Sequence, residues 1–314
     1  MKSILWVLLF WTGIAGAQPY PAKPVRFIVS FPPGGSSDLI VRAIAPRMSD
    51  KLGQPVVVEN RAGAGGMIGV DAVAKAPADG YTIGLAAAGA LSSNIHLYPS
   101  MPYQPEKDLA PISMLAMIPF FLVANPSQPD NLKALIASAR SGNLSYGHGG
   151  QGSTMHLAGE LLNMMAQVKI QAVPYKGSGP VSADVLGGQV PLGVVDVPSA
   201  IAHVKAGKLR ALAVTTRRRI SAAPEVPTFE EAGLPGYEAI GWFGAVAPAG
   251  TPREVIQRVN AEIRAALSAP EVSERALAAG AEPFPTSPEE FAGIIRDETK
   301  KWGEVVRTAG IKLQ

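Results

Sequence analysis

The sequence predicts an α/β fold of two lobes, each a largely parallel sheet flanked by helices, and three observations predict it. Short apolar strand signals alternate with helical periodicity from residue 25 to residue 214, the pattern of strand–helix–strand units. Two glycine-rich turns, Phe31-Pro32-Pro33-Gly34-Gly35-Ser36-Ser37-Asp38 and Tyr146-Gly147-His148-Gly149-Gly150-Gln151-Gly152-Ser153-Thr154, each stand between a strand and an amphipathic helix. Two apolar extended segments, 121–124 and 243–247, run into proline-containing turns and read as paired crossover strands. On that reading lobe one comprises residues 18–124 and 244–314, lobe two comprises 125–243, and the crossovers form a two-strand hinge.

Residues 1–17 are expected to be a cleaved signal peptide, with basic Lys2, an apolar stretch from Ile4 to Ala17 and Ala15-Gly16-Ala17 as cleavage site. The stretch falls short of the ~20 residues that span a bilayer, so the product is expected to be exported and soluble. Val25-Arg26-Phe27-Ile28-Val29 is the first buried strand, and Leu39, Ile40, Ala43, Ile44 and Met48 recur at helical spacing after it. Pro46 is expected to kink or shorten that helix, at ~3 kcal/mol if interior. Strands follow at Val56-Val57-Val58 and Thr82-Ile83-Gly84-Leu85-Ala86.

The middle repeats the grammar: helix 131–140, strand Leu144-Ser145-Tyr146, then helix 154–166 with Leu157, Ala158, Leu161, Leu162 and Met165 on one face. Next come strand Val173-Pro174-Tyr175, helix 181–186, strand 192–195, helix 199–205 and strand 209–214. The last third is mostly helical. Val255, Ile256, Val259, Ile263 and Leu267 share one face; Phe291, Ile294, Ile295, Trp302, Val305 and Val306 share another.

Composition removes several function classes. With no cysteine there is no disulfide, thiolate metal site, cysteine nucleophile or lipoprotein anchor. The net charge of +3 is dispersed, and its only run, Arg217-Arg218-Arg219, reads as a solvated loop, so no nucleic-acid partner is expected. Gly63-Ala64-Gly65-Gly66-Met67-Ile68-Gly69 misses the dinucleotide spacing by one residue, lacks an acid for the ribose, and is rejected as such a site. Four histidines, at 96, 148, 156 and 203, show no metal-like spacing, and neither G-x-S-x-G nor H-E-x-x-H occurs. No cofactor, metal or catalytic residue is therefore expected. A secreted hydrolase would have to set His148, His156 and Asp196 around Ser153.

The motifs in order carry a resemblance. Val25 to Asp38 is followed by Val58-Glu59-Asn60-Arg61-Ala62-Gly63-Ala64-Gly65-Gly66, Asp79-Gly80-Tyr81-Thr82, His156-Leu157-Ala158-Gly159-Glu160, Pro174-Tyr175-Lys176-Gly177 and Leu209-Arg210-Ala211-Leu212-Ala213. Pro227-Thr228-Phe229-Glu230-Glu231-Ala232-Gly233, Trp242-Phe243-Gly244 and Pro248-Ala249-Gly250-Thr251-Pro252 complete the set. Together they resemble the Bug family of solute-binding proteins, receptors of tripartite tricarboxylate transporters. The resemblance implies a type II periplasmic binding-protein fold, a small carboxylate held in the interlobe cleft, and delivery to membrane permease subunits. The chain is expected to act as a periplasmic monomer. A receptor signalling to a membrane sensor kinase would have the same fold and cleft.

Site candidates follow from the chemistry of the turns. A helix start offers unpaired N–H groups and the positive dipole end, which together hold an anion. Phe31, Gly34, Gly35, Ser36 and Ser37 form one candidate cradle; the alternative is an ordinary turn capped by Ser37 or Asp38. Asp38 repels a carboxylate and is expected to brace the turn or receive an amine or hydroxyl. Gly149, Gln151, Gly152, Ser153 and Thr154 form the second cradle. His156 either touches the ligand or bonds a neighbouring loop, while His148 stands where the family carries a small hydroxyl residue. Ala88 offers only main-chain groups. Tyr175 and Lys176 lie on a strand-end loop, Lys176 being either a cleft cation or a solvated lysine. Asp196 ends a strand at the cleft mouth.

Overall fold

In the computed structural model, which describes residues 20–278 and 280–311, the chain builds two sheets with helices packed on their faces. The expected signal peptide lies outside the described residues. Along the chain run β1 (Val25–Val29), α1 (Ser36–Leu52), β2 (Val56–Asn60), α2 (Met67–Ala74), β3 (Thr82–Ala87), α3 (Asn94–Leu97), α4 (Pro105–Asp108) and β4 (Leu109–Ile118). Next come β5 (Phe120–Ala124), α5 (Leu132–Ser141), β6 (Ser145–His148), α6 (Thr154–Ala166), β7 (Gln171–Pro174), α7 (Ser178–Leu186), β8 (Leu192–Asp196), α8 (Val197–Lys205) and β9 (Arg210–Val214). The chain returns through β10 (Gly241–Pro248), α9 (Arg253–Leu267), α10 (Pro270–Ala278), β11 (Glu282–Pro283) and α11 (Pro288–Ala309).

The first sheet has the order β11-β4-β10-β3-β1-β2 and the second β7-β6-β8-β5-β9. β1 lies parallel to β2 and β3, and β6 lies parallel to β7 and β8. β10 and β5 run antiparallel to their neighbours. Because β1 and β6 are central parallel strands, their carboxyl ends deliver both glycine turns to the same edge of the molecule, where α/β folds gather ligands.

The helices bury the faces that the periodicity marks. Val255, Ile256, Val259, Ile263 and Leu267 are buried on α9, as are Phe291, Ile295, Trp302, Val305 and Val306 on α11. α11 also reaches across to pack on α6, tying the two sheets together on one flank. Leu39 departs from its expected stripe and faces solvent, whereas Ile40, Ala43, Ile44 and Met48 are buried.

Two expectations are corrected. Pro46 does not shorten α1, which runs unbroken from Ser36 to Leu52. Pro46 and Arg42 are both exposed, so the carbonyl that loses its helical donor is free to bond water. The crossover strands do not pair with each other: residues 120–124 belong to the second sheet and 241–248 to the first. Pro119 alone separates β4 from β5, and the return crossing pairs Gly241 with Ile118. Thr215 pins the junction, its hydroxyl accepting from the Phe120 amide at 3.0 Å and its carbonyl accepting from the Ala239 amide at 3.1 Å.

Candidate functional site

The turns after β1 and β6 open onto one cavity of about 560 Å³. Phe31, Gly35, Ser36 and Ser37 line it from the first sheet; Gly149, Gln151, Gly152, Ser153, Thr154, Lys176 and Asp196 line it from the second. Gly34, Asp38, Ala88, His148, His156 and Tyr175 are not part of its wall. They stand behind it, and their contacts explain the shape of the lining.

The first turn leaves donors free. Gly35 is the N-cap of α1 and no side chain caps the helix, so neither Ser37 nor Asp38 takes the role that an ordinary capped turn gives them. Among the described residues, the N–H groups of Gly35, Ser36 and Ser37 find no acceptor within the chain. Asp38 instead folds back: its carboxylate accepts from the Gly34 amide at 2.9 Å, Asn60 Nδ2 at 2.9 Å and Arg42 Nε at 2.9 Å. Burial alone would raise the Asp38 pKa, but hydrogen bonds from Arg42, Gly34 and Asn60 outweigh it and hold the carboxyl below its ordinary range. Asp38 thus braces the cradle from the rear. Asp38→Ala strands Asn60 and the Gly34 amide, and is expected to cost about 2 kcal/mol of stability in urea unfolding, less than a fully buried pair because Arg42 is half in water.

The second turn is held from behind by imidazoles. His148, the last residue of β6, is fully buried, and its ring stacks on that of His156 with centroids 4.4 Å apart and planes 16° apart. His148 Nδ1 lies 2.9 Å from the Gly150 carbonyl, and His156 Nδ1 accepts from the Gly152 amide at 3.3 Å. Ser153 is the N-cap of α6, its Oγ accepting from the His156 amide and donating to the Gly150 carbonyl. Burial first, then the neighbouring His156, lowers the His148 pKa to about 4, against a smaller opposing effect of the Gly150 carbonyl. Burial likewise lowers that of His156, with Glu160 opposing. No ring nitrogen hydrogen-bonds to Ser153 Oγ or to Asp196, so the imagined triad is not assembled here.

The remaining predicted residues divide cleanly. Lys176 is exposed at the rim and enters no ion pair among the described residues. Asp196 caps α8, accepting from the Ser199 amide at 3.1 Å. Tyr175 lies outside β7, which ends at Pro174, and its hydroxyl donates to Asp184 at 2.9 Å. Ala88 is buried with its carbonyl accepting from Ser92 Oγ, while its neighbours Ala87 and Gly89 reach the cavity.

Sequence reasoning missed a third turn and most of the apolar wall. Gly63, Gly65 and Gly66, in the segment rejected as a dinucleotide loop, line the cavity beside the first turn. Gly66 has φ +95°, and a Cβ there would come within 3.2 Å of the Phe31 ring, so only glycine fits. Tyr98, Ile118, Phe120, Met155, Trp242 and Phe243 supply apolar surface, with the Phe31 and Phe243 rings 6.1 Å apart.

The chain matches, over residues 40–311, the family described as tripartite tricarboxylate transporter family receptor (TctC). It is 43% identical over 321 residues to Protein BugT of Bordetella pertussis, covering 100% of this chain and 98% of that protein. Among solved structures it is similar to R. palustris Rpa4515 with adipate, at TM-score 0.84 and 38% identity over 94% of this chain and 100% of the other. It is also similar to MatC (Rpa3494) from Rhodopseudomonas palustris with bound malate, at TM-score 0.80 and 32% identity over 91% of this chain and 100% of the other.

Proposed function

Because this chain belongs to the tripartite tricarboxylate transporter receptor family and is similar in structure to the periplasmic binding protein BugD, we propose that it clasps a small organic carboxylate in the cavity between its two sheets. The receptor then presents that guest, as a monomer, to membrane permease subunits after export and removal of residues 1–17. One observation carries the reading: among the described residues the N–H groups of Gly35, Ser36 and Ser37 at the start of α1, and of Thr154 and Met155 at the start of α6, find no acceptor, and both helix starts border a single cavity. Anions at helix starts gain from both the N–H groups and the dipole, and a cleft that excludes water strengthens those bonds. The aromatic wall suits the carbon skeleton of an acid, and the adipate and malate seen in relatives are the first guests to try. No described helix is long and apolar enough to cross a membrane.

Thermal melting with adipate, malate, citrate, benzoate and a neutral sugar tests the reading. A ligand at a hundredfold excess over Kd stabilises by about 2.7 kcal/mol, which for a chain of this size raises Tm by roughly 5–10 °C. A shift with at least one acid and none with the sugar is the expected result. A shift with the sugar alone sinks the carboxylate assignment.

A further inference from the structure

We propose that His148 and His156 are positioning residues, a neutral stacked pair that sets the direction of the main-chain groups in the second glycine turn, so that acid loosens the grip on the guest. The inference rests on the carboxylate reading above, since the turn matters to binding only if it holds the ligand. Neither ring lines the cavity, yet each is tied to one glycine that does. His148 Nδ1 faces both main-chain groups of Gly150, the carbonyl at 2.9 Å and the amide at 3.3 Å, and can serve only one; the shorter contact is taken as the bond, with Nδ1 carrying the proton and donating. The same oxygen accepts from Ser153 Oγ at 2.7 Å and from the Ser153 amide at 3.1 Å, so three donors fix its direction. His156 works with the opposite tautomer: Nδ1 accepts from the Gly152 amide and must be bare. Gly152, at φ +73°, has no side chain by which anything else could hold it.

A single added proton on either ring undoes this arrangement. On His156 Nδ1 it would set N–H against N–H and release Gly152. On His148 it would go to Nε2, a buried atom with no hydrogen-bond partner to receive it. Both rings charged would repel across 4.4 Å. The titratable groups around the pair are few. Glu160, one turn along α6, accepts from Tyr146 Oη at 2.8 Å, and the Tyr146 ring from β6 lies 5.8 Å from that of His148. Tyr237 donates to the Ala158 carbonyl, and Lys169 borders the same outer groove as Glu160. Of these only Glu160 favours an imidazolium, at His156, and burial outweighs it.

Two measurements on the full chain decide the matter. Imidazole nitrogen-15 spectra from pH 8 to 4, assigned with His148→Ser and His156→Gln, read the tautomers with no ligand present. His148 is expected as Nδ1–H and still neutral at pH 6, and His156 as Nε2–H and neutral at pH 7.5; a charged His148 at pH 6, or both rings in one tautomer, overturns the proposal. Calorimetry with adipate and malate then compares parent and variants at the same pH, which cancels the titration of the acid itself. His156→Gln keeps an acceptor for Gly152 and is expected to bind within about threefold of the parent at pH 7.5, whereas His156→Leu binds about tenfold more weakly. Between pH 7.5 and 4.5 the parent is expected to lose at least about threefold relative to His156→Gln. A parent-to-Gln ratio that does not move with pH, or a leucine variant that binds like the parent, overturns the proposal. Failure of the parent to bind either acid at pH 7.5 counts against the carboxylate reading instead, and the nitrogen spectra still decide the pair.

Discussion

Gly159→Ala is expected to lower the melting temperature by roughly 4–10 °C, from about 2–3 kcal/mol of net destabilisation. Gly159 sits on the inner face of α6, and a Cβ there would fall on the ring of Tyr146. That ring cannot retreat: it is buried, and its hydroxyl donates to Glu160 at 2.8 Å and to the His156 carbonyl at 3.1 Å. Alanine's better helix propensity returns only about 1 kcal/mol. Gly293→Ala on α11 provides the opposite sign, because its Cβ would meet nothing nearer than the Arg296 guanidinium at 3.7 Å. It is expected to stabilise by about 0.5–1 kcal/mol. Calorimetric melts of the two variants side by side check both; equal shifts would mean that α6 does not sit against Tyr146 as described.

Acidification is expected to weaken the fold on the order of 3 kcal/mol through His148 alone. In the unfolded chain its imidazole takes up a proton as pH falls through its ordinary 6.5, whereas in the fold it resists until about pH 4. The unfolded state therefore binds more protons throughout that window, stability declines as pH falls from 6.5, and the decline levels off below 4. His156 acts in the same direction. Urea unfolding of the parent and His148→Ser from pH 7.5 to 4 isolates the effect from carboxylate titration, which both share. The serine variant is expected to be less stable at pH 7.5, having lost the stack, but to have the shallower acid slope. Parallel slopes would show that His148 is protonated equally in both states.

Much of the architecture was legible because burial imposes periodicity. The stripes of α9, α11 and α6 and the strands at 25–29 and 192–195 follow directly from what each face must cover. Pairing was not legible. The apolar runs at 121–124 and 243–247 are equally good partners for any neighbour, so nothing local says that they join different sheets. β4 escaped notice because Pro111 and Ser113 interrupt the apolar run that marks a buried strand. In the site, the two helix starts were visible from glycine and serine placement. The third turn was not, because as a binding site Gly63-Ala64-Gly65-Gly66 was weighed only against a nucleotide motif. The backing roles of Asp38, His148 and His156 depend on hydrogen bonds with Arg42, Gly150 and Gly152 that arise from how each turn bends, and residue type alone does not report that bend.

Pro119 has a mechanical consequence. One residue with a ring-locked φ spans the gap between β4 and β5, a tether too short to pay out. Any relative motion of the halves would have to turn about that pin rather than draw apart in parallel, so a gape would be an angle, widest far from the proline and nearly constant beside it. A cargo seated close to the pin would feel little of the swing, while one lodged toward the outer lip would govern how far the jaws shut.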